Sequence, residues 1–358
     1  MKIIKPGSTI GIIGGGQLGR MAASAASSLG YHVHIYTDKD DSPASHVTDK
    51  TITASYTDKK ALHKFASHVD VVTFEFENIP HESVKVLEEH VPVRPSWKVL
   101  HVSQNRLREK DFINSIGIKT APYKKIKSAK DLRSAHKEIA TRCILKTVEM
   151  GYDGKGQFII DDDTDYEKLW DEINIGTGVL EGMVKFTKEI SVIIARGIDG
   201  KSECFPPSHN IHKGGILDTS VAPADISDKL SDNAKKIAEK IANELDLIGM
   251  IAVEMFITEN EDILVNEIAP RPHNSGHWTM DGAITSQFEQ FIRAVCGLPL
   301  GNPAAHSKVE MQNLIGEDVN SWEELIKNPN NKIHLYGKKK IAKGRKMGHV
   351  NKIITSFS

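Results

Sequence analysis

Residues 251–271 read IAVEMFITENEDILVNEIAPR. Two apolar runs flank the polar tetrapeptide ENED, and each run carries one glutamate. This pattern predicts a β-hairpin. With ENED (259–262) as the loop, Thr258 pairs with Ile263, and counting back along both strands sets Glu254 opposite Glu267. Directly opposed residues share one face of a sheet, so the two carboxylates stand side by side. Like charges so placed cost roughly a few tenths to 1 kcal/mol. The neighbouring residues are apolar, which disfavours a solvated face on which the side chains splay apart. A divalent cation offsets the repulsion, and an all-oxygen ligand set favours magnesium over zinc. The inference depends on register, because a one-residue slip would separate the pair.

Upstream, VEMGYDGKGQFII (148–160) follows the apolar run CILKT (143–147). A loop rich in glycine therefore lies between two strands. It is no Walker A loop, since Lys155 is not followed by Ser or Thr and no helix comes next. Glycine-rich hairpin loops can fold their N–H groups over a triphosphate, with Lys146 and Lys155 supplying charge. Beside a carboxylate pair suited to magnesium, this loop points to a nucleoside triphosphate.

The N-terminal STIGIIGGGQLGRMAASAASSLGYHVHIYT predicts a strand, a glycine turn, a helix closed by Gly30 and a second strand. Another strand follows in DVVTFEFENIP (70–80), with helical stretches on both sides, so the first hundred or so residues predict a parallel α/β layer. Gly14, Gly16 and Gly19 fit GxGxxG, and Asp38 ends the next strand, which together make a dinucleotide fingerprint. A glycine turn at a helix N-terminus can equally hold any phosphate, or no ligand at all. The alternation fades after about residue 95, leaving no second mononucleotide half. From about 119 short strands separated by turns predict antiparallel sheets, interrupted by one amphipathic helix in LSDNAKKIAEKIANELDLIG that Gly249 ends.

Lys and Arg number 46 against 47 Asp and Glu, a balance that argues against nucleic-acid binding through bulk charge. Cys143, Cys204 and Cys296 are far apart and lack a CxxC spacing, as expected of reduced thiols in a cytoplasmic protein. No signal peptide is expected, and no run approaches the roughly 20 apolar residues that span a membrane.

The order of Lys146, the glycine loop, GVLEGMV (178–184), Glu254 and Asn266-Glu267 resembles the ATP-grasp superfamily. More narrowly, GGGQLGRM, FEFENIP, NRLREK, GYDGKGQ, SHNIH, NEIAPRPHNSGHWT and GRKMGH resemble the 5-(carboxyamino)imidazole ribonucleotide synthetases of purine biosynthesis, over about residues 8–350. The resemblance implies a Rossmann-like parallel domain (1–100), then the two antiparallel sheet subdomains of an ATP-grasp fold (101–180 and 181–298) and a small C-terminal β region (299–358). It also implies a homodimer, ATP and Mg2+ as cofactors, and aminoimidazole ribonucleotide and bicarbonate as substrates.

Motif matches imply the residues. Arg106 and Lys146 would lie near the phosphates of ATP, under a lid of Gly151, Tyr152, Asp153, Gly154, Lys155, Gly156 and Gln157. Glu181, Gly182, Met183 and Val184 would meet adenine, mainly through backbone groups. Glu189 would take the ribose hydroxyls and His212 would lie near the nucleotide. Glu254 and Glu267 would hold magnesium, with Asn266 beside them. Arg271, Lys338 and Arg345 would hold the phosphate of the acceptor ribonucleotide. Gln17, Leu18 and Glu77 would face it from the first domain, and Tyr152, Asp153 and Lys155 would reach it from the closed lid. His273 and Asn274 would complete its wall. Asp153, Lys155, Arg271 and His273 are the catalytic candidates. The implied reaction makes carboxyphosphate from bicarbonate and ATP, then a carbamate on the acceptor's amine. Formyl transfer to glycinamide ribonucleotide, an ATP-grasp relic without turnover, and a dehydrogenase are the alternatives.

Overall fold

The computed structural model describes residues 2–149 and 156–356. Four parallel strands form the first sheet: β1 (Thr9–Ile13), β2 (His32–Thr37), β3 (Lys50–Thr53) and β4 (Val71–Phe74), in the order β3-β2-β1-β4. Both faces are covered, as parallel sheets require. Ile10 and Ile12 on one face join a core with Ala22 and Ala26 of the helix Gln17–Ser28, whereas Ile13, Val72 and Phe74 join Leu62, Phe65 and Leu87 on the other.

The second sheet contains β5 (Tyr123–Ile126), β6 (Cys143–Thr147), β7 (Gln157–Ile160) and β8 (Gly178–Gly182), antiparallel and ordered β5-β8-β6-β7. Helices Ala129–Ile139 and Tyr166–Ile173 supply Leu132, Ala135, Leu169 and Trp170 to its core. Neither helix is anticipated by the strand-and-turn reading of this region. Each has a local signal: the Ser128 and Asp165 side chains accept a hydrogen bond from the third residue beyond, as N-caps do.

The third sheet is antiparallel throughout. It comprises β9 (Phe186–Arg196), β10 (Ser202–Cys204), β11 (Ser208–Lys213), β12 (Ile216–Ala222), β13 (Gly249–Thr258), β14 (Ile263–Ala269), β15 (Ser307–Ile315), β16 (Asn331–Leu335) and β17 (Lys346–Ser356). The order β14-β13-β9-β11-β12-β15-β17-β16 carries the last strands into the same sheet as the carboxylate hairpin. The helix Asp228–Glu244 packs Leu230, Ala234, Ala238 and Ile241 on one face. It does not end at Gly249. Asp246 takes the left-handed conformation (φ 46°) and the Leu247 N–H reaches back to the Ala242 carbonyl, 3.0 Å, so the helix is already closed. Gly249 begins β13 instead, with Pro95 where a Cβ would point.

On the other face the helix Gln287–Cys296 supplies Phe288, Phe291, Ile292 and Val295 to the cluster that also holds Ile10, Ile12, Ala22 and Ala26. The first domain and the third sheet therefore share one core. The Arg94 guanidinium adds to it, donating to the Val295 carbonyl at 2.7 Å and the Lys2 carbonyl at 3.1 Å.

The glycine turn is built around Glu75, just past β4. Its carboxylate accepts from the Gly16 N–H and, at 2.7 Å, from the Gly19 N–H. A Cβ on Gly14, which has φ +105°, would lie 2.4 Å from Glu75 Cγ. Gly14→Ala thus meets both a left-handed backbone and a clash. It should destabilise the protein by about 2 kcal/mol or more, read as a lower urea midpoint; an unchanged midpoint would contradict this packing.

Candidate active site

A cavity of about 860 Å3 opens between the three sheets, within the range of substrate sites. Its walls include Gln17, Leu18 and Glu77 from the first domain and Arg106 from the helix Arg106–Ser115. From the second sheet come Lys146, Gln157, Glu181 and Gly182, followed by Met183 and Val184. Glu189, His212, Glu254, Asn266 and Glu267 come from the third sheet. Arg271, His273, Asn274, Lys338 and Arg345 follow on the loops at one end. Gly156 lies just off the wall, at φ +69°, its carbonyl accepting from the Thr147 N–H at 3.0 Å. Gly151, Tyr152, Asp153, Gly154 and Lys155 lie outside the described residues.

The hairpin does set Glu254 opposite Glu267, by a different count. Ile257 pairs with Ile263 and Met255 with Val265, one residue out of the expected register. A bulge at Asn266 then restores it, so that Glu254 faces Glu267. Burial and the charge of Glu267 push the Glu254 carboxyl up to about 7. Among the described residues, Arg106 Nη1 is 3.0 Å from Glu267 Oε2, and His273 Nε2 is 3.2 Å from Glu254 Oε1. Burial lowers the His273 pKa well below its ordinary value, reinforced by the charges of Arg271 and Lys346. The imidazole is therefore neutral.

Around Glu181 of β8 lies a buried ionic group that the sequence reading misses in part. The Glu181 Oε2 atom is 3.0 Å from Lys146 Nζ and 3.1 Å from Lys110 Nζ. Burial alone would raise the Glu181 pKa, but Lys110 and Lys146 outweigh it and hold the carboxyl below its usual range. Burial lowers the Lys146 pKa, opposed by Glu181. Lys110 is 1% exposed and off the cavity wall. Its helical spacing gave a signal, one turn beyond Arg106. Between them Glu109, 2% exposed, accepts from the Ile268 N–H at 2.6 Å; burial and Glu267 raise its pKa to about 8.

Glu189 pairs with His212 Nδ1 at 2.5 Å; burial lowers the histidine's pKa but the carboxylate more than restores it. Phe186 and Phe256 stack 4.8 Å apart on the same wall, a flat apolar surface not expected from sequence. At the far end Arg271 grips Glu77 with Nε and Nη2, the latter at 3.0 Å. Burial raises and Arg271 lowers the Glu77 pKa, the arginine prevailing. Lys338 donates to the Lys346 carbonyl at 2.6 Å, and Arg345 to the Lys340 carbonyl at 2.7 Å. Asn274 is tied back to Asn313 by two amide bonds of 3.0 and 2.6 Å. Lys346 also lines the cavity, a residue overlooked beside Arg345 in the same motif.

With two antiparallel sheets facing a cavity that holds the buried Lys146 and an opposed carboxylate pair, the fold and site define an ATP-grasp enzyme. Residues 111–288 match the ATP-grasp domain, residues 7–104 the ribonucleotide synthetase preATP-grasp domain, and residues 310–357 the phosphoribosylaminoimidazole carboxylase C-terminal domain. The chain is 46% identical to the N5-carboxyaminoimidazole ribonucleotide synthase of Bacillus subtilis (strain 168), over 98% of this chain and 92% of that protein. With these matches the chain belongs to the N5-carboxyaminoimidazole ribonucleotide synthase family. It is also 44% identical, over 97% of its length, to a bifunctional purine synthesis protein of Dictyostelium discoideum, of which it spans only 37%. Two solved structures are close. N5-carboxyaminoimidazole synthetase of Staphylococcus aureus with ADP gives a TM-score of 0.94 at 37% identity, covering 99% of this chain and 95% of that one. The synthase of Aspergillus clavatus with ADP and 5-aminoimidazole ribonucleotide gives 0.90 at 28% identity, covering 98% and 94%.

Two outcomes follow from the charges. A carboxyl raised from 4.5 to about 7 costs folding nothing below pH 4.5, and the cost grows until pH passes 7. It then amounts to about 3 kcal/mol. Glu254→Gln should therefore raise the Tm of the ligand-free protein at pH 8 and leave it nearly unchanged at pH 4.5; equal shifts at both would refute the raised value. Lys110→Met leaves Glu181 to Lys146 alone, which holds that lysine back from a nucleotide. Calorimetry should show ATP affinity falling by about tenfold, or 1.4 kcal/mol, and unchanged affinity would remove Lys110 from the site.

Proposed function

We propose that this chain carboxylates the amine of 5-aminoimidazole ribonucleotide with bicarbonate at the expense of ATP, forming N5-carboxyaminoimidazole ribonucleotide, ADP and phosphate in purine biosynthesis. The observation that carries the reading is a continuous cavity, in a member of this family, whose lysine-and-carboxylate end continues into a second cationic end. The relative with ADP and 5-aminoimidazole ribonucleotide bound supports two such substrates side by side.

On this reading Arg106 and Lys146 hold the phosphates of ATP. The backbone of Glu181–Val184 reads adenine, Glu189 takes the ribose hydroxyls and His212 steadies Glu189. Phe186 and Phe256 offer the base an apolar surface. The donor set suits magnesium, because two crowded carboxylates and the adjoining Asn266 are all oxygen donors and Glu254 carries the strain of the crowding. Glu254 and Glu267 would hold the ion, which when bound neutralises phosphoryl charge. Arg271, Lys338 and Arg345 take the acceptor's phosphate, with Gln17, Leu18 and Glu77 opposite and His273 and Asn274 as its wall. Arg271 is already forked onto Glu77, so the acceptor meets a preset arginine rather than a mobile one.

Bicarbonate needs activation because its carbon is a poor electrophile and hydroxide a poor leaving group. Transfer of the γ-phosphoryl group to a bicarbonate oxygen gives carboxyphosphate and ADP. The acceptor's amine then bonds to that carbon, either displacing phosphate directly or after carboxyphosphate has split to carbon dioxide and phosphate, and the nitrogen gives up one proton as the carbamate forms. Arg106 and Lys146 neutralise the charge that develops on the moving phosphoryl group. The family resemblance assigns residues 151–157 to a lid over both substrates, which would keep water from the short-lived intermediate, with Tyr152, Asp153 and Lys155 assigned to the acceptor on the same ground. The same reading makes the protein a cytoplasmic homodimer with no nucleic-acid or membrane partner, as family resemblance and balanced charge support.

ADP release with magnesium-ATP and aminoimidazole ribonucleotide should depend on bicarbonate and give a carbamate product. Release only with formate and glycinamide ribonucleotide would move the protein to formyl transfer, and ATP binding without turnover in either case would leave a nucleotide-binding relic.

A further inference from the structure

Among the described residues, β14, which carries Glu267, is the outer strand of the third sheet. Its outward N–H and C=O groups must therefore find partners other than a full neighbouring strand, because buried backbone groups are almost always paired. The Val265 N–H donates to the Lys119 carbonyl at 2.9 Å. Further along, side chains take over. The Ile268 N–H donates to Glu109 Oε1 at 2.6 Å, and Lys110 Nζ lies 3.5 Å from the Asn266 carbonyl. Two consecutive side chains of one helix thus stand in for a strand, one accepting and one donating.

In a regular antiparallel strand the outward N–H groups recur at every second residue. Here they fall at 265 and 268, an odd interval, because the bulge inserts Asn266 between them. On one side of the bulge Met255 faces Val265, and on the other Glu254 faces Glu267. Without the extra residue Glu267 would turn to the opposite face of the sheet, away from Glu254. Ile268 offers the first outward N–H past the insertion, so the group that holds it also holds the bulge.

The helix that presents Glu109 is itself fixed. Asn105 caps it, its Oδ1 accepting from the Leu107 and Arg108 N–H groups at 3.1 and 3.2 Å, and the Arg106 N–H donates to the Val148 carbonyl at 2.9 Å. Glu109 is 2% exposed and off the cavity wall, which keeps it from direct contact with a ligand there. Arg106, three residues earlier, reaches the Glu267 carboxylate at 3.0 Å. One helical turn therefore grips β14 twice, at the Glu267 side chain and at the next residue's backbone.

We propose that Glu109 is a positioning residue for the metal site: by holding the Ile268 N–H it keeps the Asn266 bulge in register, and with it Glu267 on the same face as Glu254. The inference rests on the reading above that these two carboxylates take magnesium. The role needs an acceptor oxygen at this place, which Glu109→Gln retains and Glu109→Leu removes.

Amide hydrogen exchange in the ligand-free protein, followed by NMR, reads the anchor without metal or substrate. The Ile268 N–H should be protected in the wild type and in Glu109→Gln, and should exchange about tenfold faster or more in Glu109→Leu. The magnesium concentration for half-maximal ADP release should rise about ten- to a hundredfold in Glu109→Leu and stay within about twofold in Glu109→Gln. Saturating magnesium should restore kcat, and the KM for 5-aminoimidazole ribonucleotide should not move. A fast-exchanging Ile268 amide in the wild type overturns the proposal, as does an unchanged magnesium requirement in Glu109→Leu or an equal loss in Glu109→Gln. A deficit that saturating magnesium fails to restore makes Glu109 structural only and overturns it too. If Glu109→Leu does not fold, Glu109→Asp, whose carboxyl stops one methylene short of the Ile268 N–H, carries the same comparison. A wild type whose turnover is indifferent to magnesium sinks the metal reading itself, whereas the exchange pattern still decides whether Glu109 anchors the bulge.

Discussion

Two carboxylates are held against each other across β13 and β14, and most of the surrounding structure answers that constraint. Left alone, a buried like-charge pair would splay apart or take up a proton. Here Arg106 faces one member and His273 the other, while Glu109 beneath them sits protonated near neutral pH on the Ile268 N–H. The bulge at Asn266 turns both side chains to the same face despite the shifted register below it. The multivalent cation proposed above, with the phosphates that accompany it, would relieve this cost to the folded state.

Holding such a site requires that its walls do not drift. The helix Gln287–Cys296 places Phe288, Phe291 and Val295 in one apolar cluster with Ile10 and Ala22, so the parallel domain and the large antiparallel sheet share their core. Glu77 can then meet Arg271 across a long stretch of chain, because both ends of that ion pair stand on the same packed body. The smaller sheet has its own cluster around Leu145 and Leu180, which leaves it free to carry the nucleotide slot as a separate layer.

The first glycine turn shows how packing can reverse a motif. GxGxxG invites a phosphate because it leaves N–H groups unpaired at a helix start. In this protein the Gly16 and Gly19 N–H groups are taken by Glu75, and Gly14 is glycine because Glu75 occupies the space of its Cβ. The carboxylate takes N–H groups that a dinucleotide's pyrophosphate would otherwise use, and Asp38 is exposed. What the turn contributes is Gln17 and Leu18 on the cavity wall.

Local chemistry was legible in the residues alone. Alternating strand and helix marked the parallel layer, and apolar runs punctuated by glycine and aspartate marked the antiparallel sheets. Among the described residues, the matched motifs named side chains that line one cavity. Periodicity depends on neighbours in the chain, so it reached the Glu254–Glu267 pair, though by a register that the bulge corrected. It could place Lys110 one turn beyond Arg106 but could not name its partner, and it could not reach Glu75 or Phe186. Those act through partners far away in sequence: Lys110 through Glu181, Glu75 through a turn before it, Phe186 through Phe256. A side chain's type is written in the sequence, whereas its charge state, tautomer and partner depend on which distant groups burial brings within hydrogen-bond reach, and only the tertiary structure decides that.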